Sequence, residues 1–213
     1  MLLYDHPRSG NCHKVRLLLS MLGLPYEARF VDVPNGGHRQ AWFGAINPLE
    51  QIPVLEDGDV RVQDSQAILV YLAKRYGPCW LPGEPVAAAR VMEWLSFAAK
   101  EIALSLQVAR LHHILDEETD IVAATAASHR VLRLMNAHLA TRAFLAGDRA
   151  SIADLACFPY VALSHEARID HGDYPAVAAW VQRIVDMDGY VAMEGLPPAR
   201  RQTDDGTTRE MSQ

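Results

Sequence analysis

The chain has 213 residues, half of them apolar, and a formal charge of -6. That is enough to bury a core in one large domain or two smaller ones, and the acidic balance excludes a nucleic-acid scaffold. Residues 1–80 carry eight Lys and Arg against eight Asp and Glu, so the deficit lies downstream, where 12 face 18. Near the N-terminus Arg8, Lys14 and Arg16 form a positive cluster too small for a phosphate backbone but suited to a small anion.

Cys12, Cys79 and Cys157 are odd in number and share no spacing, so the sequence encodes neither a disulfide framework nor a zinc site. A reducing compartment and no metal are expected. Asp5, His6 and Arg8 interrupt the N-terminus before any secretory apolar block, and no run reaches the ~18 apolar residues of a membrane span. The expectation is a soluble cytoplasmic protein that binds no membrane.

In chain order, Leu2–Tyr4 reads as a buried strand and Asn11–Leu22 as a helix stopped by Gly23. Tyr26–Val33 alternates as a second strand, Pro34-Asn35-Gly36-Gly37 forms a loop, and His38–Ala45 is a short or irregular helix. Ile52–Leu55 is a third strand, turned by Asp57-Gly58-Asp59 into a fourth, Val60–Val62, before a helix over Asp64–Tyr76. A βαβ unit followed by ββα predicts a small sheet with helices on both faces, the thioredoxin-like arrangement.

Three prolines and one glycine between Pro78 and Pro85 mark a linker. Beyond it the spacing is helical: Val91, Trp94, Leu95, Ala98, Ile102, Leu106 and Ala109 predict one long helix to about His113, and Leu132, Met135 and Leu139 a second. Ser151-Ile152-Ala153-Asp154 reads as a capping box, with Pro159 inside the helix it opens, and Pro175 starts another. The expected architecture is a thioredoxin-like α/β domain over 1–77, a linker over 78–85 and an all-helical bundle over 86–196. A polar tail, 197–213, is expected to lack order.

Between the first strand and its helix, Ser9-Gly10-Asn11-Cys12 places a hydroxyl, an amide and a thiol beside free helix N–H groups, a place to hold an anion. With Asn47-Pro48 running into Gln51-Ile52-Pro53-Val54-Leu55, Gln63-Asp64-Ser65, and Phe144–Asp148 before Ser151–Asp154, this motif completes an ordered set. The set resembles the cytosolic glutathione transferases, most closely the theta-like, serine-type bacterial members, over about residues 1–195.

The resemblance implies a homodimeric enzyme that conjugates glutathione to a small hydrophobic electrophile. It also implies a cis peptide at Ile52-Pro53, whose outward-turned Ile52 backbone pairs with the tripeptide as an added strand. Asp64 and Ser65 would read the γ-glutamyl ammonium and carboxylate, Asp64 standing where the family more often has Glu; as ordinary residues they are a helix cap. His38 and Gln51 would take the glycine carboxylate, although a loop histidine is more commonly just solvated. Ser9 would donate to the glutathione sulfur, with Asn11 as a second donor.

Lowering a thiol of pKa ~8.5 by roughly 1.5–2 units requires about 2–3 kcal/mol. One hydrogen bond to a charged acceptor contributes ~1.5–3 kcal/mol and a helix N-terminus ~0.3–2 kcal/mol, so no further base is needed. Cys12 stands where a Cys-x-x-Cys motif has its second cysteine, with Ser9 replacing the first, and is read either as a packing residue or as a redox thiol. Tyr4 is read as core. Arg110, His112 and His113 remain unassigned. A glutathione-dependent disulfide reductase or isomerase, and a non-enzymatic ligand- or protein-binding member of the fold, are the alternative functions.

Overall fold

A computed structural model describes residues 1–198 of the chain. Strand β1 (Leu2–Asp5) leads into helix α1 (Gly10–Met21) and strand β2 (Glu27–Phe30); a short helix α2 (Ala41–Gly44) precedes β3 (Val54–Asp57), β4 (Val60–Gln63) and α3 (Ser65–Tyr76). The sheet order is β2-β1-β3-β4. β1 and β2 are parallel, while β1/β3 and β3/β4 are antiparallel, with Leu3 opposite Ala28 on one side and Leu55 on the other. This is the expected thioredoxin-like domain.

Local differences have local causes. β3 starts at Val54 rather than Ile52, because Pro53 has no N–H to give a ladder. The alternating segment Tyr26–Val33 pairs only over Glu27–Phe30, at the sheet edge, where all four residues are exposed. His38–Ala45 divides into a 3-10 turn, Gly37–Arg39, and α2.

The helical domain follows as α4 (Pro85–Phe97), α5 (Val108–Leu115), α6 (Ile121–Leu139), α7 (Ile152–Ala162) and α8 (Pro175–Val185). Instead of one α-helix to about His113, Ala98–Gln107 is wound as a π-helix between α4 and α5. Within the stretch Ala98, Ile102 and Leu106 recur every four residues, a spacing that suits either winding. Within this stretch the Ser105 hydroxyl donates to the Glu101 carbonyl at 2.5 Å, so a side chain competes for the backbone ladder. The tail expectation falls mostly on residues 199–213, outside the described residues. Among the latter, no helix is long and apolar enough to cross a membrane.

One apolar core runs through both domains, from Leu3, Leu18 and Leu72 to Ile102, Phe158 and Trp180. Helix α7 is its axis: every residue is buried, and it packs against α1, α3 and α4. The capping box that starts α7 does more than end a helix. Asp154, fully buried, accepts from Ser151 N (2.9 Å) and Ser151 Oγ (3.3 Å), from Leu145 N (3.0 Å) and from Trp180 Nε1 (2.9 Å). Burial pushes its carboxyl up, and these four donors act in the opposite sense, favouring the carboxylate.

Replacing Asp154 by Ala is expected to destabilise the protein by about 3–5 kcal/mol, since it leaves buried donors unpaired. Asp154→Asn, which keeps an acceptor, should fall between the two in thermal denaturation.

Candidate active site

The C-terminal end of β1, the N-terminal end of β3 and the first turns of α1 and α3 open onto a cleft of about 640 Å³, closed on its far side by the helical domain. Ser9, Asn11, His38, Gln51, Ile52, Asp64 and Ser65 all line it. Their sequence separation is therefore bridged by the sheet. Pro53 is buried behind the lining, and the Ile52-Pro53 peptide is cis.

At one end of the cleft Ser9 caps α1. Its Oγ accepts from Cys12 N at 3.2 Å, which leaves the hydroxyl proton to donate elsewhere. Asn11 stands two residues on, in the first turn, its Oδ1 accepting from Lys14 Nζ at 2.8 Å. At the other end Asp64 caps α3 in a left-handed conformation, φ 71°, that a non-glycine residue adopts only at a cost of order 1–3 kcal/mol. Its Oδ1 takes the N–H groups of both Gln66 (2.9 Å) and Ala67 (3.0 Å), so Oδ2 and the Ser65 N–H remain uncommitted. Ser65 Oγ donates to Gln66 Oε1 at 2.6 Å and must leave that partner to meet a ligand. His38 has a buried Nδ1 without a hydrogen-bond partner.

Cys12 lies outside the lining, fully buried, and burial pushes its thiol up to about 12. Tyr4 is core, as expected, with its hydroxyl 3.4 Å from Glu56 Oε2. Neither supplies a reactive group to the cleft. Among the described residues no group of His, Cys, Asp and Glu forms a metal site.

Sequence reasoning missed the wall supplied by the helical domain. The π-helical stretch turns Ala98, Ala99 and Ala103 toward the cleft, and α5 adds Leu111, Ile114 and Arg110. Arg110 is 2% exposed, is paired with Glu166 through Nε at 2.5 Å and donates to the Arg8 carbonyl at 3.2 Å. From α7 comes Tyr160, whose ring lies on Gly10: a Cβ there would sit 2.8 Å from Tyr160 Cζ. No signal in one sequence foretells such contacts, because they join segments 56 to 150 residues apart.

A thioredoxin-like domain joined to a helical bundle, with a polar cleft at the start of α1, defines a class of two-domain thiol-handling folds. Family models of the glutathione S-transferase N-terminal and C-terminal domains match residues 3–83 and 97–188. Human glutathione S-transferase theta-1 is 32% identical over 85% of this chain and 81% of its own. Disulfide-bond oxidoreductase YfcG of Escherichia coli (strain K12) is 30% identical over 85% of this chain and 88% of its own. The crystal structure of a glutathione S-transferase from Pseudomonas fluorescens Pf-5 superposes with a TM-score of 0.86 at 33% identity, covering 91% of this chain and 98% of that one. The chain belongs to the glutathione S-transferase family.

In an isolated helix Gly10→Ala would stabilise by about 1 kcal/mol. Here the Tyr160 ring reverses the sign, and a loss of about 1–3 kcal/mol is expected from the overpacked contact. Thermal unfolding of Gly10→Ala and of Gly10→Ala/Tyr160→Leu checks this: the second change should recover most of the loss.

Proposed function

We propose that the protein is a glutathione transferase that holds glutathione along the cleft and joins its sulfur to a small hydrophobic electrophile. The single observation that carries this reading is the convergence of Ser9, His38, Gln51, Ile52, Asp64 and Ser65 on one cleft of tripeptide size. In this arrangement Asp64 Oδ2 faces the γ-glutamyl ammonium, and the Ser65 N–H, at the positive end of α3, takes the adjacent carboxylate. The Ile52 backbone pairs with the cysteinyl segment, and His38 and Gln51 receive the glycine carboxylate.

The sulfur then lies at the first turn of α1. Ser9 Oγ, already accepting a helix N–H, donates its proton to the sulfur and stabilises the thiolate. The thiol proton leaves to solvent. The electrophile lies against Ala103, Leu111 and Ile114, where an apolar wall excludes water and holds the reacting atoms together. The thiolate lone pair forms the new C–S bond as the leaving group departs with its electrons. A homodimer in the cytoplasm is part of the same proposal, on the strength of the family.

The disulfide-reductase reading draws support from the resemblance to YfcG. The burial of Cys12 weighs against a protein thiol in that chemistry. Any disulfide exchange would run between glutathione sulfurs.

Three variants test the assignment. Ser9→Ala should raise the thiol pKa of bound glutathione by about 1–2 units, read from the ultraviolet thiolate absorbance, and lower conjugation at pH 6.5 by roughly 10- to 100-fold. Conjugation untouched in Ser9→Ala removes the catalytic role. His38→Ala should raise KM for glutathione about tenfold with little change in kcat, the loss of one ligand hydrogen bond. Cys12→Ser should leave both conjugation and disulfide reduction within about twofold of the parent chain, since a buried, protonated thiol takes no part in either.

A further inference from the structure

Lys14 is a charged side chain that the proposed mechanism leaves without a role. It is 1% exposed, yet among the described residues no carboxylate lies within ion-pair distance of it. Its one hydrogen bond goes to Asn11 Oδ1 at 2.8 Å, and its Nζ lies 5.6 Å from the centre of the Tyr160 ring. The titratable groups facing it are Cys12 on its own helix, Cys157 and Tyr160 on α7, and Asp64 at the start of α3. Burial brings the ammonium down to about 8. It is therefore still mostly charged at neutral pH, in a place where charge is costly.

An ammonium has only donors, so the end of the Asn11 amide that meets it must be the oxygen. The amide nitrogen is then the end left for a ligand, and Asn11 lines the cleft beside Ser9. We infer that Lys14 is a positioning residue: by holding Asn11 Oδ1 it turns the Asn11 Nδ2 donor toward the glutathione sulfur and lends the thiolate a positive charge without touching it. This rests on the functional reading above.

The coupling runs both ways. A thiolate in the cleft strengthens the hold of Lys14 on its proton, and the ammonium strengthens the acidity of the thiol by the same factor. Tyr160 covers the side chain from the opposite domain and keeps water from screening that interaction.

The experiment is a pH titration of thiolate absorbance in the binary complex with glutathione, on the full chain, for the parent, Lys14→Met, Asn11→Ala and the double variant. Lys14→Met should raise the thiol pKa by about one unit and lower kcat/KM about tenfold at pH 6.5. That deficit should shrink above about pH 8.5, where a thiol ionises unaided. Because the aim of Asn11 depends on Lys14, the two losses should be less than additive, Lys14→Met costing less on Asn11→Ala than on the parent.

Stability should move the other way. Lys14 has a folded pKa below its unfolded one, so its burial cost is fully present below about pH 8 and fades toward about pH 10.5. Lys14→Met should thus unfold at a temperature no lower than the parent at pH 7, which separates positioning from scaffolding. Lys14→Gln, a neutral donor, should give an intermediate thiol pKa, and it supplies the reading if the Met variant fails to fold. A thiol pKa unchanged in Lys14→Met, or in Lys14→Gln where that is the variant that folds, overturns the inference. Additive effects in the double variant also overturn it. A parent chain that binds glutathione without lowering its thiol pKa, or does not bind it, overturns the functional reading itself and this inference with it.

Discussion

The buried carboxylate of Asp154 is the interaction on which the placement of the rest depends. It holds the start of α7 to the preceding loop through Leu145 and Ser151 and to α8 through Trp180. An isolated charge at full burial would be prohibitive, and four donors make it tolerable. Because α7 is surrounded on all sides, fixing its start fixes what it presents along its length. Two turns further on, that is Tyr160.

Tyr160 brings the helical domain onto the motif that begins α1. With no Cβ at Gly10, the ring seats directly on the helix's first turn and covers Lys14. The cleft is thus not a property of the thioredoxin-like domain alone. One wall carries polar groups at the ends of β1, β3 and α3; the other is the π-helical stretch with α5, whose small residues leave room and whose Arg110 is held by Glu166 and the Arg8 carbonyl. A ligand between them meets donors on one side and apolar surface on the other, the arrangement a polar nucleophile and a hydrophobic electrophile require.

The two helix starts that line this cleft share one design. Ser9 and Asp64 each satisfy the N–H groups of their helix with part of their bonding capacity and keep the remainder for the cleft, a hydroxyl proton in one case and a carboxylate oxygen in the other. Capping and ligand recognition are compatible because both use the positive end of a helix. Asp64 holds its cap at a positive φ, a cost the surrounding strands and helix sustain.

Much of this was legible in the residues. Apolar periodicity and punctuation placed β1, α1, β3, β4 and α3 to within about two residues, because those elements are set by local spacing, caps and breakers. The four ordered motifs were enough to identify the fold and, with His38, seven of the residues that line the cleft. Tertiary structure alone decided the opposite wall, the π winding of Ala98–Gln107, the burial of Cys12 and the unpaired ammonium of Lys14. All but the π winding arise where segments far apart in sequence meet, and spacing within one segment carries no information about what another places against it. Serine and lysine in the first turns of α1 are written in the chain; that one is left a free proton and the other a partner amide is a consequence of what packs around them.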